Sequence, residues 1–208
     1  FELHIIDGNG APPKFWSDLD LHAFDFGHSY MTAIFNAPDD PLSQAYFASL
    51  AEKVGEDRAK EILGVNRHNT IIYPSCSPHT SFQQWRVIRP LSVDRTLVEI
   101  FTFRLDGAPE ELLQRTFTYS NVVNSPSSIV MTDDVHVYAE CQKGLATQGG
   151  DWVSQHRNAG QDLPFSGADG GEIGVGTSEL PIRNQFRAWR EYMTNDVAET
   201  ISPQSSEL

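Results

Sequence analysis

The stretch FQQWRVIRPLSVDRTLVEIFTFRL, residues 82–105, reads as two strands joined by a turn. From Phe82 to Ile88, Gln84, Arg86 and Ile88 alternate with Trp85 and Val87, the two-residue period of a strand with two different faces. Arg89-Pro90 ends that run. From Thr96 to Leu105, the residues Leu97, Glu99, Phe101 and Phe103 oppose Val98, Ile100 and Thr102, and Val93-Asp94-Arg95 supplies the turn. Thr70-Ile71-Ile72-Tyr73 forms a further strand just upstream. Links this short between consecutive strands require an antiparallel meander.

Helices flank the meander. Asp40 suits an N-cap and Pro41 a first helical position. Leu42, Tyr46, Leu50, Val54 and Ile62 mark the apolar stripe of that helix, and Gly64 stops it. A second helix starts at Pro109-Glu110-Glu111, with acidic residues at its positive end, and runs to about Val123. Ser125-Pro126-Ser127-Ser128 breaks it and caps a third, from Ile129 to Lys143, closed by Gly144. A last helix spans residues 181–194. Residues 21–35 read as one strand with Phe24, Phe26, His28 and Tyr30 on one face. Residues 146–177 read as loop, with a short strand at 151–155. The expected class is α+β, an antiparallel sheet with long helices segregated against it. The expected organisation is coil over 1–20, a folded unit over 21–194 and a flexible tail over 195–208.

Composition narrows the partners. Of 208 residues, 39% are hydrophobic and 11% aromatic, enough for a core. The net charge of -13 would repel phosphates, which argues against nucleic acid and anionic membranes. No apolar run approaches the length of a membrane span. Two cysteines make no disulfide framework, and the simple reading is a reducing, cytoplasmic compartment. Cys76-Ser77-Pro78-His79 has half of a metal-site spacing but no second Cys/His pair, so it reads as a thiol and an imidazole near a strand end. No Gly-x-Ser-x-Gly supports a serine hydrolase.

Asp134 is the residue that suggests chemistry. On a helical wheel its neighbours are Val130, Met131, Val137, Tyr138 and Cys141, with Leu145 beyond, so it falls within the apolar stripe of the third helix. A carboxylate there must be paired, protonated or bound to a metal. Two readings follow, an ion pair with an arginine such as Arg86 or Arg104, and a metal ligand. Asp133, next to His136 and Glu140, belongs to the rim.

Several stretches taken in order carry a resemblance. These are Phe26-Gly27-His28, Asn69-Thr70-Ile71-Ile72-Tyr73-Pro74, Trp85-Arg86-Val87-Ile88-Arg89-Pro90, Thr96 to Phe103, Met131-Thr132-Asp133-Asp134, Gln142-Lys143-Gly144-Leu145 and Arg183 to Arg190. Over about residues 20–194 the chain resembles the C-terminal catalytic domain of the α subunits of Rieske-type aromatic-ring-hydroxylating oxygenases. The resemblance implies an incomplete helix-grip domain of the START/Bet v1-like kind. It implies a mononuclear ferrous iron held by two His and one carboxylate, the carboxylate being Asp134 as the second Asp of the acidic pair. Such a ligand face leaves positions open for dioxygen.

The resemblance also places what is expected outside this chain. The two His ligands belong to an Asp-x-x-His-x4/5-His segment, and the [2Fe-2S] Rieske cluster to a paired signature, Cys-x-His followed later by Cys-x-x-His; the segment and the pair are both absent, since Cys76…His79 stands alone. The chain would correspond to about half of an α subunit, and alone would expose surface that the other half covers. Implied partners are the missing Rieske segment, neighbouring α subunits in a trimer, a small β subunit, a ferredoxin or reductase, and an aromatic substrate taken up in hydrocarbon catabolism. Implied pocket residues are Phe24, Phe26, His28, Tyr30, Phe101, Val130 and Met131. His22 and His28, with five residues between them, also invite a ligand-pair reading, set against His28 as a buried or substrate-facing residue. His4, His68, His136 and His156 receive no role. The alternative function is a non-catalytic binder of hydrophobic ligands, or an inactive fragment, with Asp134 in a salt bridge.

Overall fold

Strand pairing is antiparallel throughout the described residues. A computed structural model describes residues 18–32, 40–65, 67–79, 83–147, 149, 152–166 and 170–194. In chain order these form β1 (Asp20–Ala23), β2 (Ser29–Thr32), α1 (Pro41–Val54), α2 (Glu56–Leu63), β3 (Arg67–Ile71), β4 (Cys76–His79), β5 (Gln84–Ser92), β6 (Arg95–Thr102), α3 (Glu110–Asn124), α4 (Ile129–Leu145), β7 (Leu163–Pro164), β8 (Glu172–Val175) and α5 (Leu180–Thr194). One sheet has the order β3-β2-β1-β8-β7 and the other β4-β5-β6. An isolated bridge between Ile72 and Cys76 links β3 to β4. The class is α+β, as the alternation over residues 82–105 requires.

Local chemistry explains the helix starts. The Asp40 carboxylate accepts from Leu42 N at 3.0 Å and Ser43 N at 3.1 Å, satisfying two donors that the first turn leaves open. Ser128 Oγ does the same for α4, accepting from Val130 N at 3.2 Å. Glu110 and Glu111 occupy the positive end of α3. The continuous helix expected from Pro41 to Gly64 is in fact two. Gly55 adopts a φ of 85°, a left-handed conformation that ends α1 and starts α2. The stripe divides with it. Leu42 and Tyr46 pack with Ala108 and Leu112, while Val54 and Ile62 are exposed.

Three more expectations are corrected. Residues 21–35 are not one strand, because a 3-10 turn at Asp25–Gly27 separates β1 from β2, with Phe26 at a φ of 61°. The hairpin pairs His22 with Tyr30, so Phe24, Phe26, His28 and Tyr30 do not share one strand face. The strand expected from Phe82 is described from Gln84, and it does not stop at Arg89-Pro90 but runs to Ser92 through a bulge, with Pro90 opposite Thr96. In the long loop the strands are β7 and β8, and residues 152–156 have no regular structure. Residues 1–17 and 195–208, expected as coil and tail, lie outside the described residues.

Helix α5 locks the first sheet. Asn184 Nδ2 donates to the carbonyls of Phe24 (2.8 Å) and His28 (3.1 Å), the two chain ends of the 3-10 turn. Ala188 of α5 rests on Gly27, where an added Cβ would come within 2.9 Å of it. One turn earlier, Arg183 donates to Asp162 at 2.6 Å and to the carbonyls of Gln155 (3.1 Å) and Arg157 (3.0 Å). This ties the loop before β7 to the helix. The Asp162 side chain is 9% exposed. Removing one partner of a pair this buried leaves an uncompensated charge. Arg183→Ala is therefore expected to lower stability by about 3 kcal/mol, measured by chemical denaturation of the purified protein. Arg183→Lys should recover only part of it, since an ammonium cannot reach all three acceptors at once.

Candidate functional site

Register in the second sheet decides which side chains meet. Arg86 lies opposite Ser77 of β4 and Ile100 of β6, and Gln84 lies opposite His79 and Thr102. These residues and Ile88 share one face, while Trp85, Val87, Glu99 and Phe101 share the other. The Arg86 face looks toward the helices. Its charge acts on the hydroxyls of Tyr119 in α3 and Tyr138 in α4, lowering values that burial otherwise raises. In Tyr138, Asp134 adds to the upward push. The Tyr138 hydroxyl thus senses Asp134 and Arg86 together.

The floor of this region is polar and buried. Gln84 is 0% exposed, and its Nε2 has no hydrogen-bond partner among the described residues. Arg86 Nη2 reaches Gln84 Oε1 at 3.5 Å, and Arg86 Nε is buried without a hydrogen-bond partner. The rings of His68 and His79 meet edge to face, with centroids 4.5 Å apart. Burial pushes His79 down to about 3, helped by His68 and Arg86. Burial and Arg86 lower His68 in the same way. Both imidazoles are neutral at pH 7, and the positive charge of the region belongs to Arg86.

Asp134 sits half-buried near the start of α4, but the stripe around it is not covered. Val137, Tyr138, Cys141 and Leu145 are exposed, with only Val130 and Met131 half-buried, which corrects the expectation of a buried apolar face. The periodicity identifies the face, and packing partners for it do not come from the described residues. Arg104, one expected ion-pair partner, is engaged by Glu110 at 3.0 Å.

The expected pocket residues fall into separate groups. Phe24 and Tyr30 belong to a stack on the first sheet. There the His22 ring lies 4.5 Å from Tyr30 and 4.9 Å from Phe165, and the Arg67 guanidinium lies over Tyr30 at 4.7 Å. His28 is held by its Nδ1, which accepts from Tyr73 N at 3.1 Å. Phe26 is exposed and lines a cleft of about 320 Å³ with Gly27, Asn184 and Ala188. Phe101 is half-exposed on the outer face of the second sheet, opposite Trp85. Val130 and Met131 stand on the first turn of α4 beside Asp134, and Val130 lines an apolar groove at the α3–α4 corner.

Cys76 and His79 are three residues apart within β4, so they project to opposite faces and cannot share a metal. Among the described residues no group of three His, Cys, Asp or Glu is placed to hold a metal ion. The described residues therefore do not by themselves complete a three-ligand metal site. Among them, no helix is long and apolar enough to cross a membrane.

No family profile matches the chain. The α subunit of toluate 1,2-dioxygenase from Pseudomonas putida is 32% identical over 189 residues, covering 85% of this chain and 40% of that protein. The large subunit of 2-halobenzoate 1,2-dioxygenase from Burkholderia cepacia is 30% identical over 149 residues, 69% of this chain and 32% of that one. This chain is homologous to ring-hydroxylating dioxygenase large subunits. It spans less than half the length of the relatives it matches. The dioxygenase fold is equally plain in three dimensions. A naphthalene 1,2-dioxygenase bound to phenanthrene superposes with a TM-score of 0.69 at 18% identity, over 90% of this chain and 44% of the other. The Rhodococcus naphthalene 1,2-dioxygenase bound to indole gives 0.66 at 19%, over 91% and 48%.

In this dioxygenase homologue the fold brings together His68, given no role in the sequence reading, and His79, read there only beside Cys76. They lie on different strands, and no local spacing links them. Below about pH 6.5 an unfolded chain takes up a proton that native His79 refuses until about pH 3. Acid therefore favours unfolding across that window. Stability should fall by up to about 1.4 kcal/mol per pH unit for this group. His79→Gln should flatten the slope of stability against pH between 6.5 and 4, as followed by denaturant midpoints. An unchanged slope would mean that His79 is not the proton-linked group.

Proposed function

We propose that this chain forms the C-terminal, substrate-proximal part of the large subunit of an aromatic-ring-hydroxylating oxygenase, and that Asp134 is its ligand to a mononuclear ferrous iron. The observation that carries the reading is the 32% identity over 189 residues to a toluate 1,2-dioxygenase α subunit. The position of Asp134 supports it. The carboxylate stands on a 17-residue helix, near enough to Tyr138 to act on its hydroxyl together with Arg86. The two histidine ligands come from a part of the subunit outside the described residues. Iron in such a ligand set supplies the site where dioxygen is activated.

The chain's own residues shape the surroundings. Tyr119 comes from the helix side, and Ile88 and Ile100 make the sheet side apolar beside Arg86. The substrate class is aromatic. The relatives act on toluate and 2-halobenzoate, and the structural neighbours hold phenanthrene and indole. Electrons come from a [2Fe-2S] Rieske cluster on the same type of subunit, fed by a ferredoxin or reductase, and the enzyme works in the cytoplasm. Val137 and Tyr138 of α4, with Phe186, Trp189 and Met193 of α5, form exposed apolar surface. Apolar surface of this extent marks an interface. We assign it to the remainder of the subunit, to neighbouring α subunits of a trimer and to a small β subunit.

The test is iron content together with product. In the full-length subunit, Asp134→Ala should reduce iron below about a tenth of the wild-type level and abolish hydroxylated product, with an unchanged circular dichroism spectrum. Asp133→Ala should keep most of the iron. Full iron in Asp134→Ala would remove the ligand assignment. Iron-free wild-type protein that still binds naphthalene would favour a non-catalytic binder.

A further inference from the structure

The strand array ends differently on its two sides. The bridge between Ile72 and Cys76 joins the two sheets, so the strands follow one another as β7-β8-β1-β2-β3-β4-β5-β6. At one end β7 has two residues, and so short an edge offers little to pair with. At the other end β6 has eight, and among the described residues nothing pairs with its far side. The hydrogen-bond phase tells which groups are open there. Phe103 N donates to Gln83 O at 3.0 Å, and Ile88 N turns away from β6 to reach Ser75 O at 2.8 Å. Bonded and non-bonded positions alternate along an antiparallel pair. Leu97, Glu99 and Phe101 therefore bond inward to β5, while the amides and carbonyls of Thr96, Val98, Ile100 and Thr102 point off the edge.

The usual protections of an edge strand are missing from β6. It holds no Lys and no Pro, its acid Glu99 is engaged by Arg89, and the bulge of this hairpin lies on β5. Every residue from Arg89 to Val98 is exposed, and so is Phe101. Open backbone groups beside exposed apolar side chains form a template for strand addition.

We propose that the β6 edge takes up an extended segment from the remainder of the same large subunit as a further strand of the sheet. The proposal rests on the reading of this chain as part of a longer subunit. The chain accounts for 40% of the toluate dioxygenase α subunit and 44% of a naphthalene dioxygenase chain, so more than half of such a subunit is available to supply the segment. A segment tethered to the same fold meets the edge at high local concentration. A second copy of this chain is the poorer occupant. Two chains of net charge -13 repel one another. Antiparallel pairing of two β6 edges centred on Glu99 also sets two like carboxylates directly opposite, which is destabilising. The faces of β6 define what the segment carries. Its side chains cover Val98 and Ile100 on the inward face and Leu97 and Phe101 on the outer face, so it is apolar on both.

Residue-resolved amide hydrogen exchange on the wild-type full-length subunit is the test. Leu97, Glu99 and Phe101 are internal controls, since their amides bond to β5. Val98, Ile100 and Thr102 should exchange at least about 100-fold more slowly than in an unstructured peptide. Exchange within about threefold of the unstructured rate, with the controls slow, would overturn the proposal. Photoreactive benzoylphenylalanine in place of Leu97 identifies the occupant. The crosslink should map to a segment outside residues 1–208 and leave the polypeptide a single chain on a denaturing gel. A crosslink to a second chain, another copy or a different subunit, would overturn the choice of occupant. Iron content and hydroxylated product from the same preparation keep the two readings apart. A protected, self-crosslinked edge in a protein without iron or product would retain the strand and remove the oxygenase reading. An active iron protein whose edge amides exchange freely would do the reverse.

Discussion

The register of β5 between β4 and β6 is the constraint on which the candidate site depends. Side chains alternate along a strand, so a slip of one residue would exchange the inward set Gln84, Arg86 and Ile88 for Trp85, Val87 and Arg89. The pairing of Arg86 with Ile100 and of Gln84 with His79 places two polar donors beneath α3 and α4. It also sends the Arg89–Glu99 ion pair and the Trp85–Phe101 contact to the outer face. The tight turn at Val93-Asp94 and the bulge at Pro90 hold that register at the far end of the hairpin. Thr116 of α3 holds it at the near end, donating to Gln83 Oε1 at 2.6 Å.

A second constraint is the clamp that α5 places on the first sheet. Arg183 and Asn184 belong to the stretch that carries the family resemblance, and in the structure both are occupied with architecture. One guanidinium gathers the loop before β7, and one amide closes the 3-10 turn after β1. Resemblance alone does not separate residues that hold a fold from residues that serve its chemistry. Here the donors of Arg183 and Asn184 are matched within the chain, which assigns both to the fold.

Elements governed by local rules were legible in the sequence. The caps of α1 and α4, the acidic start of α3 and the alternation of β5 and β6 all act within a few residues, and the structure shows each of them. What escaped depends on distant partners. Strands β7 and β8 have two and four residues, and β8 owes its place to β1, some 150 residues earlier in the chain. The break at Phe26 needs a left-handed residue that is not glycine, which no propensity announces. His68 and His79 meet only because β3 and β4 turn back beside each other. The prominence of Asp134 was legible from the wheel, but the wheel gives the direction of a face and not its cover, and here that face is open.

That openness bears on how the chemistry is divided. An exposed stripe on α4 and another on α5, Phe186, Trp189 and Met193, leave much apolar area in contact with water. Meanwhile the buried apolar clusters are small, one of Leu19, Leu21 and Met31 and one around Tyr46 and Leu112. Burial of apolar area is the main stabilising term, so a chain with this balance gains much of its stability from contacts beyond the described residues. The half-buried Asp134 lies on this same open helix face, so its surroundings also depend on what covers α4.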